Sequence, residues 1–383
     1  MTRWQRLVPP EEISRRIHAL QGKIKNCALE GALIIHRADL FYFTGTSQNA
    51  FLFIPAHGEP VLMVKKYFPR ALEECSIDNV VELRSVKEIP DLIKAHLGYI
   101  PKALGIEMDV LPYRELDFYR SLLHGTEFSD ISPAILAIRA LKHPWEVNQL
   151  QKAAMASSKC FQLAADIAHK VRGAMELVSE IQKLARKLGH GARLRLRHHK
   201  DRALPFNSKV LPGPKTGSGK IGIDCMIQID IKWMFNGYHL DETRLISMGW
   251  PPGYLMQAAE ALVQLHDLMI GQVKPGISMA SLYRHTRAMA QSLGLAESIV
   301  GMGFDGYPSV LAPLGHGVGL ELYEPPVISQ VDETLILPNM ILTIKPVLIV
   351  KPGLSICIAS VIRITRNGNE MISRAPARII EKL

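Results

Sequence analysis

The segment from Asp230 to Asp241 constrains this chain more than any other, because its middle carries Asn236-Gly237. That dipeptide is the strongest short-range signal for a two-residue β-hairpin turn. With the turn there, Phe235 faces Tyr238, and the ladder sets Lys232 opposite Asp241 and Asp230 opposite Thr243. Strand alternation puts Ile227, Ile229, Ile231 and Trp233 on one face and Gln228, Asp230 and Lys232 on the other. Asp230 and Asp241 become diagonal neighbours on the polar face, about 7–8 Å apart. That spacing suits two carboxylates reaching toward metal ions about 3.5–4 Å apart. Two acids on one strand face are as readily ordinary surface residues, so the hairpin needs a second element before it means chemistry.

With 383 residues the chain suits two domains rather than one core. Helix and strand signals alternate over residues 1–138. Ile13 to Leu29 has helical spacing, Ala32 to Ile35 and Leu104 to Glu107 read as strands, and Ala50 to Pro55 with Val61 to Val64 reads as a hairpin. This predicts an α/β N-terminal domain. From 139 the pattern changes. A long helix starts near Pro144, where proline suits the first turn, and runs to about Val171. Tyr254 to Ile270 and Met279 to Leu293 are further helices. Strands are predicted at Ile221 to Trp233, Tyr238 to Ser247, Met340 to Ile344 and Ile356 to Thr365. Residues 139–383 therefore form an α+β domain with helices backing an antiparallel sheet.

Hydrophobic residues at 48% and charged residues at 21% are the balance of a soluble globular protein. No apolar run reaches the roughly 18 residues that span a membrane. Met1 to Pro10 lacks the apolar core of a signal peptide, so a cytoplasmic location is expected. Cys27, Cys75, Cys160, Cys225 and Cys357 are isolated and odd in number, against a disulfide framework or cysteine zinc site. The net charge of +9 is partly local, from Arg193 to Arg202. No recognition module accompanies that stretch, so it reads as a solvated loop or strand edge rather than a nucleic-acid surface. Gly213 to Lys220 imitates a phosphate-binding loop, but its spacing is one residue off and Ile221 replaces the hydroxyl residue.

The second element is Leu314-Gly315-His316-Gly317-Val318-Gly319-Leu320-Glu321-Leu322-Tyr323-Glu324-Pro325. Glycines on both sides of His316 let backbone or ligand approach closely. Following the aspartate hairpin in this order, it resembles the pita-bread metallopeptidases, a family that includes aminopeptidase P, prolidase, methionine aminopeptidase and the metal-free creatinase. The resemblance runs over nearly the whole chain. Phe41-Tyr42-Phe43-Thr44-Gly45 and Gly58-Glu59-Pro60-Val61-Leu62 are similar to the creatinase-type N-terminal domain. Leu141-Lys142-His143-Pro144-Trp145 matches the junction to the catalytic domain, and Lys274-Pro275-Gly276 matches a turn between its helices. The resemblance implies two divalent metals held by two aspartates, one histidine and two glutamates. The aspartates fall on Asp230 and Asp241, and the histidine on His316.

The two glutamates fall elsewhere. Where the family reads Glu-Pro, this chain has Lys345-Pro346, and the fifth ligand position is Ala359. The second histidine of peptidase members is Tyr323 here. The histidine that handles protons ahead of the hairpin has only His198 and His199 as candidates. Four carboxylates around two dications are neutral; two aspartates with Lys232 and Lys345 are neutral without metal. An ammonium can donate to both aspartates but cannot ligate a metal while protonated. The lysines are therefore expected to replace the metals, leaving no cofactor or at most one Mn, Zn or Co ion. The alternative is that Lys345 points away and Glu321 or Glu324 supplies the ligand. Three functions follow: a prolidase-like pseudoenzyme, a metal-independent hydrolase of a small amide or amidine, or a single-metal aminopeptidase. In the second, His316 is the acid/base, Asp230, Asp241, Lys232 and Lys345 orient the substrate, and Tyr323 is a further candidate catalytic residue. The expected partner is a small peptide or amino-acid derivative, and a homodimer follows by analogy.

Overall fold

Apolar runs with no polar alternation dominate the N-terminal strands, which is the mark of strands covered on both faces. The computed structural model describes residues 7–191, 206–211, 221, 224–303 and 307–382. The Arg193 to Arg202 stretch, with His198 and His199, and the segment Gly213 to Lys220 lie outside the described residues. The chain divides into two compact units, with the division between Arg139 and Ala140.

In the first unit, Gly31–Ile34 is buried throughout. It pairs antiparallel with Ala50–Pro55 and parallel with Ala103–Ile106. The sheet runs in the order Val80–Glu82, Val61–Val64, Ala50–Pro55, Gly31–Ile34, Ala103–Ile106, Glu127–Asp130. Helix Pro10–Asn26 opens with proline and Glu11 and Glu12 in its first turn and carries Lys23 and Lys25 in its last. These charges complement the helix dipole. This is the α/β layout that the alternation of signals predicts.

The second unit is built on the hairpin of Cys225–Phe235 and Tyr238–Met248, which pair along their whole length from Cys225 opposite Met248 to Phe235 opposite Tyr238. Asn236 and Gly237 both have positive φ, as a two-residue turn between twisted strands requires. The helices Gly253–Gln272 and Met279–Ser292 cover a core that joins Met226 and Leu245 to Leu262, Leu265, Leu342 and Ile362. The long helix Pro144–Ile167 starts with Pro144 in its first turn and a capping box between His143 and Glu146.

Two departures from the sequence reading matter for the site. The strand expected from Ile356 to Thr365 is two strands, Leu354–Cys357 and Ser360–Ile364, in different sheets. At the break, Ala359 donates to and accepts from the Thr243 backbone, 3.2 Å each way. Arg244 fixes the corner through Nη1, which donates to Ala359 O at 2.5 Å. An unanticipated strand, Val347–Lys351, makes a matching corner, because Ile344 pairs with Ser360 in one sheet while Val347 pairs with Cys357 in another. Lys345-Pro346 is the crossing, and proline, which has no N–H for a ladder, suits a strand end. A helix at Ala174–Lys187 was also absent from the sequence reading.

Candidate functional site

The hairpin and the two corners converge on Asp241. Lys232 sits opposite it, and Asp230 sits opposite Thr243, the register that the Asn-Gly turn dictates. The Gly315–Gly317 strand lies against Ile341–Ile344, with His316 opposite Thr343. The contact is close enough to demand glycine: a Cβ on Gly315 would stand 2.3 Å from the Thr343 carbonyl oxygen, and one on Gly317 2.7 Å from that of Glu324.

Lys345 turns into the site. Its Nζ donates to Asp241 Oδ2 at 2.6 Å, with both side chains buried. His316 Nε2 lies 3.5 Å from the same oxygen, and its Nδ1 donates to Gly317 O at 2.9 Å. The rings of His316 and Tyr323 are 4.1 Å apart. Burial alone would push the Asp241 carboxyl up, but the Lys345 ammonium, the His316 hydrogen bond and Lys232 hold it well below the usual carboxylate range. Burial likewise works to lower Lys345, and the Asp241 charge overrides it, with Tyr323, Cys357 and Asp230 adding to the upward shift.

Asp230 is treated differently. It is half-buried. Its Oδ1 accepts from Thr243 Oγ1 at 2.6 Å and its Oδ2 from Gln228 Nε2 at 3.3 Å. Gln228 is oriented by its other end, since Oε1 accepts from the Cys357 N–H at 2.8 Å. So Lys345 engages Asp241, while Asp230 is held by neutral donors. Lys232 is half-buried. Ala359 is fully buried and offers backbone groups only. Of the spare acids, Glu324 is committed: Lys142 Nζ donates to its Oε2 at 2.9 Å, and both side chains are buried.

Three participants were not singled out from sequence: Thr243, Gln228 and Cys357. Cys357 stands two positions before Ala359, and that spacing was the available signal. Burial pushes its thiol up to about 12, so it is a neutral neighbour of Lys345 and not a ligand thiolate.

These residues do not fit a dinuclear centre. A dication beside Asp241 would meet the Lys345 ammonium on the same oxygen, and Ala359 has no side-chain ligand, its carbonyl oxygen already accepting from Thr243 and Arg244. Among the described residues, the group of histidine, cysteine and acidic side chains whose ligand atoms all lie within 4.8 Å of one another is His36, Asp39 and Glu107, in the first unit. It is a partial ligand group whose members are already engaged. Asp39 pairs with Arg139 at 2.7 Å and His36 at 3.3 Å, and Glu107 Oε2 accepts from the Ile35 and His36 N–H groups.

Comparison with known proteins places this geometry. Residues 148–366 match the metallopeptidase family M24, and residues 16–141 match the Creatinase/Prolidase N-terminal domain. The chain belongs to metallopeptidase family M24. It is 25% identical to an Xaa-Pro dipeptidase of Pyrococcus horikoshii over 92% of this chain and 95% of that protein. The crystal structure of the prolidase from Pyrococcus horikoshii OT3 superposes with a TM-score of 0.78 at 23% identity, covering 94% of this chain and 99% of that one. An Xaa-Pro dipeptidase structure from Bacillus anthracis gives 0.80 at 21% identity, covering 97% and 100%. The fold is the pita-bread architecture with a creatinase-type N-terminal domain. Within this M24 chain, Asp230, Asp241 and His316 stand at three of the five ligand positions that the resemblance assigns, and Lys345 and Ala359 at the other two. No helix among the described residues is long and apolar enough to cross a membrane.

Proposed function

We propose that this M24 protein has exchanged two-metal peptide hydrolysis for metal-independent recognition of a small peptide or amino-acid derivative. The observation that carries the reading is the buried Lys345 Nζ–Asp241 Oδ2 contact at 2.6 Å. An ammonium there supplies the positive charge that a metal supplies in a complete site, and it fills the coordinating oxygen. A second dication ligand is gone at Ala359. His316 has one ring nitrogen on a backbone carbonyl and the other toward Asp241, and its side chain is 3% exposed. That favours a binding protein over an enzyme.

Metal analysis by inductively coupled plasma of protein purified without chelators tests the reading, together with turnover of X-Pro dipeptides with and without added manganese. The expected result is substoichiometric metal and no manganese-dependent turnover. Two zinc, manganese or cobalt ions per chain would overturn it.

A second reading, a metal-independent hydrolase, draws on the proximity of His316, Asp241 and Tyr323. It requires turnover without metal that disappears in His316→Ala.

A further inference from the structure

Strand alternation sends Arg244 to the hairpin face opposite Asp241 and Thr243. Its guanidinium lies 5.5 Å from the Phe161 ring centroid and holds the Ala375 carbonyl oxygen, through Nε at 3.2 Å and Nη2 at 2.6 Å. Phe161 and Ala375 both line a cavity of about 700 Å³, within the range of sites for small ligands. One wall is a single face of the helix Pro144–Ile167, where Ser158, Phe161, Gln162, Ala165 and Asp166 recur at helical spacing. The other wall is the segment that carries Arg374, Arg378 and Glu381. That segment is fixed at three points. Ser373 Oγ accepts from the Val361 N–H at 2.9 Å, Arg244 holds Ala375, and Ile380–Lys382 pairs with Ile246 to Met248. Between these anchors the backbone presents Arg374 and Arg378 at the cavity.

Both arginines are exposed, and among the described residues neither has a hydrogen-bond or ion-pair partner. Two acids share the lining. Asp166 already has a partner, which leaves two unpaired guanidinium groups against one unpaired carboxylate, Glu381. The surplus positive charge calls for an anion. One guanidinium suffices to grip a carboxylate bidentately, whereas the terminal oxygens of a phosphate monoester can be shared by two. Beside the arginines, the Gln162 amide and the Glu381 carboxylate are hydrogen-bonding groups suited to hydroxyls, and Phe161, Ala165 and Ala375 supply apolar surface.

We propose that this cavity binds a sugar phosphate, free or as part of a mononucleotide, with the phosphate on Arg374 and Arg378 and the hydroxyls on Glu381 and Gln162. The site shares no residue with the Asp230–Asp241 face of the hairpin, so it stands whichever way that face is filled.

Isothermal titration calorimetry at low salt with ribose 5-phosphate, AMP, ribose and inorganic phosphate tests it. One phosphate ester per chain is expected to bind, and the tighter of the two identifies the source of the sugar phosphate. Ribose, which lacks the anion, is expected to bind at least about a hundredfold more weakly, the scale of two lost charge-assisted hydrogen bonds. Inorganic phosphate, which lacks the hydroxyls, is expected to bind at least about tenfold more weakly. Arg374→Gln and Arg378→Gln alter exposed side chains that bond to nothing else among the described residues, so both variants keep the fold. Each is expected to weaken binding of the tighter ester at least about tenfold. Lys159→Gln removes an exposed cation from the same helix but outside the cavity lining, and is expected to leave the affinity unchanged. No binding of either ester, or equal affinity for ribose or for inorganic phosphate, would overturn the inference. So would unchanged affinity in both arginine variants, or a loss in Lys159→Gln as large as theirs, which would mark a diffuse attraction to a basic surface.

Discussion

Asp230 and Asp241 lie on one face of one hairpin, two rungs apart, and have opposite fates. Asp241 is fully buried, with an ammonium at 2.6 Å and an imidazole at 3.5 Å. Asp230 is half-buried, held by a hydroxyl and an amide, and borders a cavity. The hairpin alone treats them alike. The difference comes from the strand corners packed across it: one corner sends Lys345 to Asp241, and the other sends only the Cys357 backbone, through Gln228, toward Asp230. A site designed for two metals needs both acids equally. Here one acid belongs to the protein's own ion pair and the other faces outward.

The largest effect should come from unbalancing the internal pair. Lys345→Met leaves Asp241 buried without its cation, and breaking a buried pair from one side costs about 3–5 kcal/mol. Urea unfolding should show that loss. The double variant Lys345→Met with Asp241→Leu should recover most of it, because replacing both members of a buried pair by apolar groups is often near neutral. Lys345→Met as stable as wild type would mean that the pair contributes no such stability.

The same pair sets a pH window. Asp241 is held below its ordinary value of 3.8, so its contribution is present above that value and is lost as pH falls toward the depressed folded value. Lys345 is held above its ordinary 10.5, so its contribution is present below that value and is lost as pH rises beyond it. The difference in unfolding free energy between wild type and the double variant should be flat from about pH 5 to 9 and should move against wild type on both sides. A difference that changes across neutral pH would contradict this assignment of the charges. On the Asp230 side the expected effect is smaller. Thr243→Val removes the hydroxyl donor to Asp230 while leaving the backbone pairing with Ala359, and should cost about 1.5 kcal/mol, the low end for a hydrogen bond to a charged group.

Much of this was legible in the sequence, for identifiable reasons. Asn236-Gly237 fixes a two-residue turn, and from the turn the whole register follows, including Lys232 opposite Asp241. The glycines around His316 announce close backbone approach, and the structure shows the carbonyls that require it. What the residues could not show locally was the corner geometry. Ile356 to Thr365 reads as one strand because every position is strand-compatible, and only the change of partner at Ala359, from Val347–Lys351 to Ile341–Ile344, divides it. The asymmetry between the aspartates was hidden for the same reason. Lys345 could have donated to both, and its choice of Asp241 depends on where Pro346 turns the chain. Cys357 looked isolated because its partners, Gln228 and Lys345, come from other segments. The helix Ala174–Lys187 had a signal, with Leu177, Ile181 and Ala185 at four-residue spacing, all buried.

The smallest expected effect sharpens the comparison from the lysine side. Lys232 and Lys345 both face Asp241, one from across the hairpin and one from the strand corner, and charge balance alone counts them equally. Burial separates them. Lys345 is 4% exposed and donates at 2.6 Å, whereas Lys232 is half-buried and acts on Asp241 through its field. A partly solvated charge interaction of that kind contributes under about 1 kcal/mol and weakens with salt. Lys232→Ala should therefore lower stability by less than about a third of the Lys345→Met loss, and raising the salt concentration should shrink the Lys232 difference while leaving the Lys345 difference in place. Equal losses for the two variants would mean that Asp241 is neutralised by a shared lysine pair rather than by Lys345, and the contrast between the two ends of the hairpin would lose its electrostatic basis.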